Sequence, residues 1–166
     1  MEKDIKSKVL SLLENDARLT KEKIAVMLDK EVGEVAAIIE ELERDGVILG
    51  YKALVDWDKT DKEYVTALIE LKVTPQRDGG FAKTAERITN YPEVKSMYLM
   101  SGAYDYCVII EGRTMKEVAL FVAEKLAPIE NVMSTSTHFV LRKYKDNGVT
   151  FRFGEDDAAD ERGNIN

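Results

Sequence analysis

The chain of 166 residues holds one cysteine, one histidine and three prolines. Each shortage excludes something. Cys107 alone cannot close an internal disulfide, and inside the apolar run "YCVII" it reads as a small core hydrophobe rather than a nucleophile. His138, in a strand beside Phe139 and Val140, leaves no Cys/His cluster at metal spacing and reads as a packed or interface residue. The glycines of "RDGGF" lack both the spacing and the following Lys-Ser or Lys-Thr of a phosphate loop. These absences argue against an enzyme and against a cofactor or metal. No apolar run approaches the roughly 18 residues that cross a bilayer. The N-terminal "MEKDIKSK" carries acids where a secretory leader would be apolar, so a cytoplasmic protein without membrane contact is expected.

Positive charge is scarce as well. There are 24 basic against 31 acidic residues, a net charge of −7, whereas nucleic-acid modules usually carry a basic surplus. Part of the imbalance is local, since Glu155, Asp156, Asp157, Asp160 and Glu161 face only Arg162 between Gly154 and Asn166. Residues 152–166 read as a solvated, mobile extension that no scaffold holds. What remains, 45% apolar and 33% charged over the whole chain, describes a globular protein with a true core.

Hydrophobic spacing divides that body in two. In residues 1–57, Ile5, Val9, Leu12 and Leu13 fall at helical spacing, and Thr20 is a candidate N-cap for a second helix that buries Ile24, Ala25 and Leu28. Val32, Val35, Ala36, Ile39 and Leu42 form the buried stripe of a third helix ended by Gly46. "VILGYKALVDW" then reads as a hairpin around Gly50. This is the outline of a winged helix-turn-helix, whose third helix enters the major groove. After a linker at 58–63, residues 64–151 alternate as β-α-β-β-α-β, a ferredoxin-like split unit, giving an α+β protein. Its strands are "YVTALIELKV", "VKSMYLM", "DYCVIIEG" and a long last one from Val132 to Tyr144. Its helices lie around Phe81, Ala85 and Ile88, and along Met115, Val118, Ala119, Val122 and Leu126. Both helices cover the same face of the sheet, and the other face, with Leu68, Cys107 and Ile109, is expected to be apolar enough to pair two chains sheet to sheet.

Four motifs in order, "VLSLLENDARLT", "LERDGVILGYKALVD", "SGAYDYCVIIEG" and "TSTHFVLRKYK", make the chain resemble the Lrp/AsnC (feast/famine) transcriptional regulators over roughly residues 1–150. The resemblance implies a DNA-binding head, an amino-acid-sensing RAM domain, homodimers through the sheets, octamers of four dimers, and a free amino acid bound between RAM domains near the central hairpin. Gly102, Tyr104 and Asp105 match the family's Gly-x-x-Asp hairpin. Chemically, Asp105 can receive an α-ammonium and the backbone amides from Ser101 to Ala103 a carboxylate. Thr135 and Thr137 can add hydroxyls, and Met97, Leu99 or Met100 an apolar wall. Where members commonly place a glycine before the last strand, this chain has Glu130 and Asn131.

The third helix departs further. Family members offer Ser, Thr and Arg outward, whereas residues 31–45 hold six acids and one base, Arg44. Its outward positions are expected to be Glu34, Ala37, Ile38, Glu40 and Glu41. None donates to guanine, and the three acids repel phosphate, although a carboxylate can accept from cytosine N4. Lys21, Lys23, Lys30 and Lys52, with Thr20 at the helix start, stand where winged heads touch phosphate. The alternative is a head turned to protein docking, with Ile38 exposed among acids as part of the contact.

Overall fold

The computed structural model describes residues 2–75 and 81–151, so the acidic C-terminal extension and most of the turn "TPQRDGG" lie outside the described residues. The chain divides into two compact units, Met1–Val55 and Asp56–Asn166.

The first unit is built from α1 (Glu2–Asn15), α2 (Lys21–Leu28) and α3 (Val32–Arg44). Thr20 opens α2 as its N-cap, its hydroxyl accepting from the Lys23 amide at 3.3 Å. Asp29 closes α2 in the left-handed region, φ 52°, which a short polar side chain tolerates, and α3 starts three residues later. At the far end of α3, Gly46 (φ +68°) lets the Val47 amide reach the Leu42 carbonyl at 2.9 Å and its own amide reach Glu43 at 3.1 Å. This is a Schellman closure, and it satisfies carbonyls that the helix end would otherwise orphan. Val9, Leu13, Ile24, Ala25, Val35, Ile38, Ile39 and Leu42 form the core.

Two expectations fail here. Ile38 was expected to face outward; it is only 8% exposed, because the inward arc of α3 runs Val35, Ile38, Ile39 and Leu42. Val32, one turn ahead of the core, is 41% exposed instead. The expected hairpin around Gly50 is not formed either: residues 47–56 run without paired strands, and Leu49 is 92% exposed. A lone two-stranded hairpin is marginal in water, and of this stretch Ile48 packs on the head's core while Val47, Leu49, Tyr51, Leu54 and Val55 are exposed. Its first amides go to the end of α3, where the Val47 and Ile48 N–H groups both bond to Leu42, and the Tyr51 hydroxyl donates to Glu43.

The second unit begins with a single 3-10 turn, Trp57–Lys59. It continues as β1 (Val65–Val73), α4 (Ala82–Thr89), β2 (Val94–Leu99), β3 (Tyr106–Gly112), α5 (Met115–Phe121) running on through a π turn (Val122–Leu126), and β4 (Val132–Phe139). The four strands pair antiparallel in the order β2-β3-β1-β4. Ala67, Ile69 and Leu71 of β1 and Tyr106, Val108 and Ile110 of β3 share one face with Ile88 of α4 and Val118, Phe121, Val122 and Leu126 of the α5 segment. The last strand is shorter than its sequence promises. It stops at Phe139, and a small hairpin follows, β5 (Lys145–Asp146) and β6 (Val149–Thr150), turning on Asn147 (φ 44°) and Gly148 (φ 81°).

Residues directly opposite in a ladder share a face. The pairs Leu68–Ile109, Leu68–His138, Glu70–Cys107, Glu70–Ser136, Lys72–Ser134, Thr66–Glu111 and Tyr98–Cys107 therefore define the side that carries no helix. That face is mixed rather than uniformly apolar. A stripe of Leu68, Ile109, Cys107 and Tyr98 is bordered along β4 by Ser134, Ser136 and His138.

Candidate nucleic-acid interface and effector site

The head's lysines meet the acids of α3. Lys6 of α1 lies 2.6 Å from Glu41, Lys30 lies 2.9 Å from Glu34, and Lys21 lies 3.4 Å from Glu40. The bond from Lys6, with its charge adding to the effect, holds the Glu41 carboxyl below its ordinary range. Two of the lysines read as phosphate contacts, Lys21 and Lys30, are thus tied to α3, while Lys23 and Lys52 are exposed. Thr20 is occupied as a helix cap. The Lys30–Glu34 pair was legible as an i, i+4 spacing; the two pairs that join different helices are tertiary and leave no mark in the sequence.

Among α1, α2 and α3 an open groove of about 880 Å³ is lined by Ile5, Met27, Leu28, Ala37 and Ile38, with Asp4, Lys8, Lys30, Glu34 and Glu41 as its charged residues. Glu41 turns to Lys6 of α1, and Glu34 to Lys30 in the α2–α3 turn. Opposite the buried arc, at about 3.6 residues per turn, the outermost positions of α3 are Gly33, Ala37, Glu40 and Arg44, all exposed. The docking alternative loses its anchor, because the side chain offered as the exposed contact, Ile38, belongs to the core.

In the second unit the hairpin from Ser101 to Asp105 is held by its last residue. The Asp105 amide donates to the Leu71 carbonyl at 2.9 Å, the Asp105 carbonyl accepts from the Met100 amide at 2.8 Å, and the Asp105 carboxylate accepts from the Val73 amide at 2.8 Å. Asp105 thus ties together the ends of β1, β2 and β3. Gly102 has φ +153°, outside the range most side chains adopt, and Ser101 and Gly102 are exposed while Tyr104 is half-buried.

The remaining expected residues are not gathered there. Met97 pairs with Val108 and packs on the core, and Leu99 pairs with Tyr106 near the end of β2, largely exposed. Thr135 and Thr137 pair with Leu71 and Ile69, so both point to the helix-covered side. The face without helices is served instead by Ser134, Ser136 and His138, with His138 Nε2 3.2 Å from Ser136 Oγ and 3.5 Å from Glu70 Oε1. β2 and β4 are opposite edges of the sheet, three strand spacings or roughly 14 Å apart. One chain does not bring Met97 and Leu99 together with Thr135 and Thr137 around a small ligand. Cys107 is buried, and that burial, with the Glu70 charge beside it, pushes its thiol up, away from nucleophilic use.

Residues 66–150 match the family model described as the Lrp/AsnC ligand binding domain, and residues 2–48 match one described as a winged helix-turn-helix DNA-binding domain. The chain belongs to the Lrp/AsnC family. It is 48% identical over 152 residues to the HTH-type transcriptional regulator YugG of Bacillus subtilis, covering 91% of this chain and 92% of that one. The leucine-responsive regulatory protein of Rhizobium meliloti is 28% identical, over 86% of this chain and 90% of its own length. In fold, it is similar to a Neisseria meningitidis transcriptional regulator solved as a complex with L-methionine, with a TM-score of 0.70, 22% identity and coverage of 89% of this chain and 94% of that one. As an Lrp/AsnC protein the chain is a transcriptional regulator rather than an enzyme, with a DNA-binding head and a ligand-binding domain. Among the described residues, no helix of this Lrp/AsnC chain is long and apolar enough to cross a membrane.

Proposed function

We propose that this Lrp/AsnC regulator responds to a free amino acid or a close relative of one, bound at the Ser101–Asp105 hairpin of a cytoplasmic homodimer that assembles further into octamers. The observation that carries the reading is Asp105. Its carboxylate is fixed at the mouth of the hairpin by the Val73 amide, and a carboxylate accepts at roughly four sites, of which this bond takes one. An α-ammonium fits the rest, and the exposed backbone around Gly102 suits an α-carboxylate. The L-methionine complex of the Neisseria relative supports the same ligand class.

Because Thr135 and Thr137 point to the helix-covered side, a second chain stacked on the helix-free face meets Ser134 and Ser136 of β4 instead, and these are the hydroxyls that pairing can bring to the site. The apolar stripe of Leu68, Ile109, Cys107 and Tyr98 offers the surface for that pairing, with the serines of β4 as its wetter margin. Effector binding then alters assembly, and through it the spacing of the heads, provided that the ligand prefers one assembly state. The test is a thermal-shift screen of the twenty amino acids, run beside sizing chromatography. An effector present at about 100 times its Kd stabilises the folded chain by roughly 2.7 kcal/mol, an easily read shift. Silence from all twenty, at concentrations up to the millimolar range, removes the amino-acid reading.

A further inference from the structure

We infer that α3 reads its operator through small residues and a carboxylate: Gly33 and Ala37 bring the helix close to the base edges, Ala37 against a thymine methyl, and Glu40 accepts from a cytosine N4 amino group. The inference rests on α3 being the recognition helix of the winged head.

Three observations converge on that arc. First, burial of Val35, Ile38, Ile39 and Leu42 fixes which side of α3 faces away from the head, and that side carries Gly33, Ala37, Glu40 and Arg44. Second, the fold gives no reason for Gly33. A Cβ added there meets nothing within 4 Å, and the residue lies within α3 without a left-handed φ. As the second residue of α3, after the N-cap Glu31, it supplies neither a capping side chain nor the better helix propensity of alanine. A surface that must come very close to something outside the chain accounts for it, and Ala37 extends the same low relief by one turn. Third, the acids are not equivalent. Glu34 and Glu41 lie on the flank that lines the groove, held by Lys30 and Lys6, and Glu40 is the carboxylate on the outer arc, itself 3.4 Å from Lys21.

Chemistry then limits what the arc can read. It holds no donor ahead of Arg44, so it has nothing with which to take guanine or adenine by paired hydrogen bonds. It holds a methyl for thymine and an acceptor for cytosine N4. Repulsion between Glu40 and phosphate is offset locally by Lys21, 3.4 Å away in the first turn of α2, the helix that crosses the backbone in such heads. Arg44, in the last turn, sits where a helix that enters the groove by its N-terminal end leaves it, near phosphate.

The test is selection of the full-length protein and its variants on random-sequence duplex DNA, followed by titration on the enriched sites. The wild-type chain is expected to enrich half-sites with a fixed cytosine, and Glu40→Gln to change that one position to adenine, which a glutamine pairs with, while losing about 10- to 100-fold in affinity for the cytosine site. Gly33→Leu is expected to lose DNA binding of every sequence with its thermal midpoint unchanged or raised, since the added side chain has open space in the free protein and leucine is the better helix former. A wild-type motif that Glu40→Gln leaves as it was, or a Gly33→Leu variant that binds as tightly as wild type, overturns the inference alone. A wild-type chain that retains no DNA at low salt overturns it together with the recognition-helix reading.

Discussion

Replacing Asp105 separates its structural from its binding role. Its carboxylate is the acceptor for the Val73 amide at 2.8 Å, and Val73 is 4% exposed, so water does not easily take the carboxylate's place. Asp105→Ala leaves that N–H orphaned and removes a bond to a charged acceptor, a loss of about 2 kcal/mol within the 1–3 kcal/mol that such a change costs. For a unit of this size each kcal/mol moves the midpoint by roughly 4–8 °C, so Tm falls on the order of 10 °C. Asp105→Asn keeps an oxygen in the same place and costs about 1 kcal/mol or less, but it removes the charge that would hold an ammonium. Thermal unfolding followed by circular dichroism, with hydrogen exchange at the Val73 amide, reads the first effect; effector titration reads the second. The expected pattern is a destabilised alanine variant with a fast Val73 amide, and a stable asparagine variant whose effector Kd rises at least tenfold. An alanine variant as stable as wild type, with Val73 still protected, refutes the view that this carboxylate closes the end of β1. An asparagine variant that binds effector normally removes Asp105 from the ammonium site.

Three further outcomes follow from single features. Burial, and secondarily the Asp105 charge, raise the Tyr106 phenol above its ordinary value of 10.0, so the unfolded chain gives up that proton first; stability is full below about pH 10 and is lost as pH rises through the folded value, and an ultraviolet titration should show Tyr106 titrating late, as does Tyr51, raised by burial and by Glu43, with unfolding at the end. Gly148→Ala forces a side chain into φ 81°, at a cost of about 1–2 kcal/mol confined to β5 and β6, so amides from Lys145 to Thr150 should exchange faster while the main transition stays in place. Cys107 should resist thiol reagents in the native protein and react at the rate of unfolding when denaturant is added; immediate modification would contradict its burial.

Much of the frame was legible because apolar and polar residues contrast sharply. Period-2 alternation placed Val65, Ala67, Ile69, Leu71 and Val73 of β1 on one side, and the structure buries the last four of them fully. Thr20 and Gly46 marked helix ends by their chemistry. Where contrast is lacking, the sequence is silent. β4 reads "STSTH" through its middle, small polar residues on both sides, so alternation cannot say whether threonines or serines face the helices. That choice is made by the register shift at Lys72/Val73, a tertiary feature, and it turns Thr135 and Thr137 inward. The β5–β6 hairpin did leave a signal, Asn147-Gly148, the pair best suited to a turn with two positive φ values, just beyond the strand read from Val132 to Tyr144. The π turn at Val122–Leu126 leaves the apolar spacing helical, and we have no physical account of why it forms there.

The acidic third helix contradicts a DNA-reading head only until its charges are assigned to sides. A helix presents only a narrow arc to a groove, so total charge is the wrong quantity. Of its carboxylates, Glu41 is paired with Lys6 of α1 and Glu34 with Lys30, Glu43 accepts from the Tyr51 hydroxyl, and the outer arc keeps Glu40 beside Lys21. Such pairing has a consequence for strength. A lysine already held by a carboxylate displaces fewer counterions when it meets phosphate, so each head gains little from the salt-dependent part of binding. If α3 reads DNA as proposed, affinity comes from close fit along Gly33 and Ala37 and from several heads acting on one DNA. Joining weak heads raises their effective concentration without any new contact, so occupancy becomes steeply sensitive to how many heads one assembly presents and how far apart. In that arrangement weak heads allow a ligand-binding domain to control DNA occupancy by changing assembly alone.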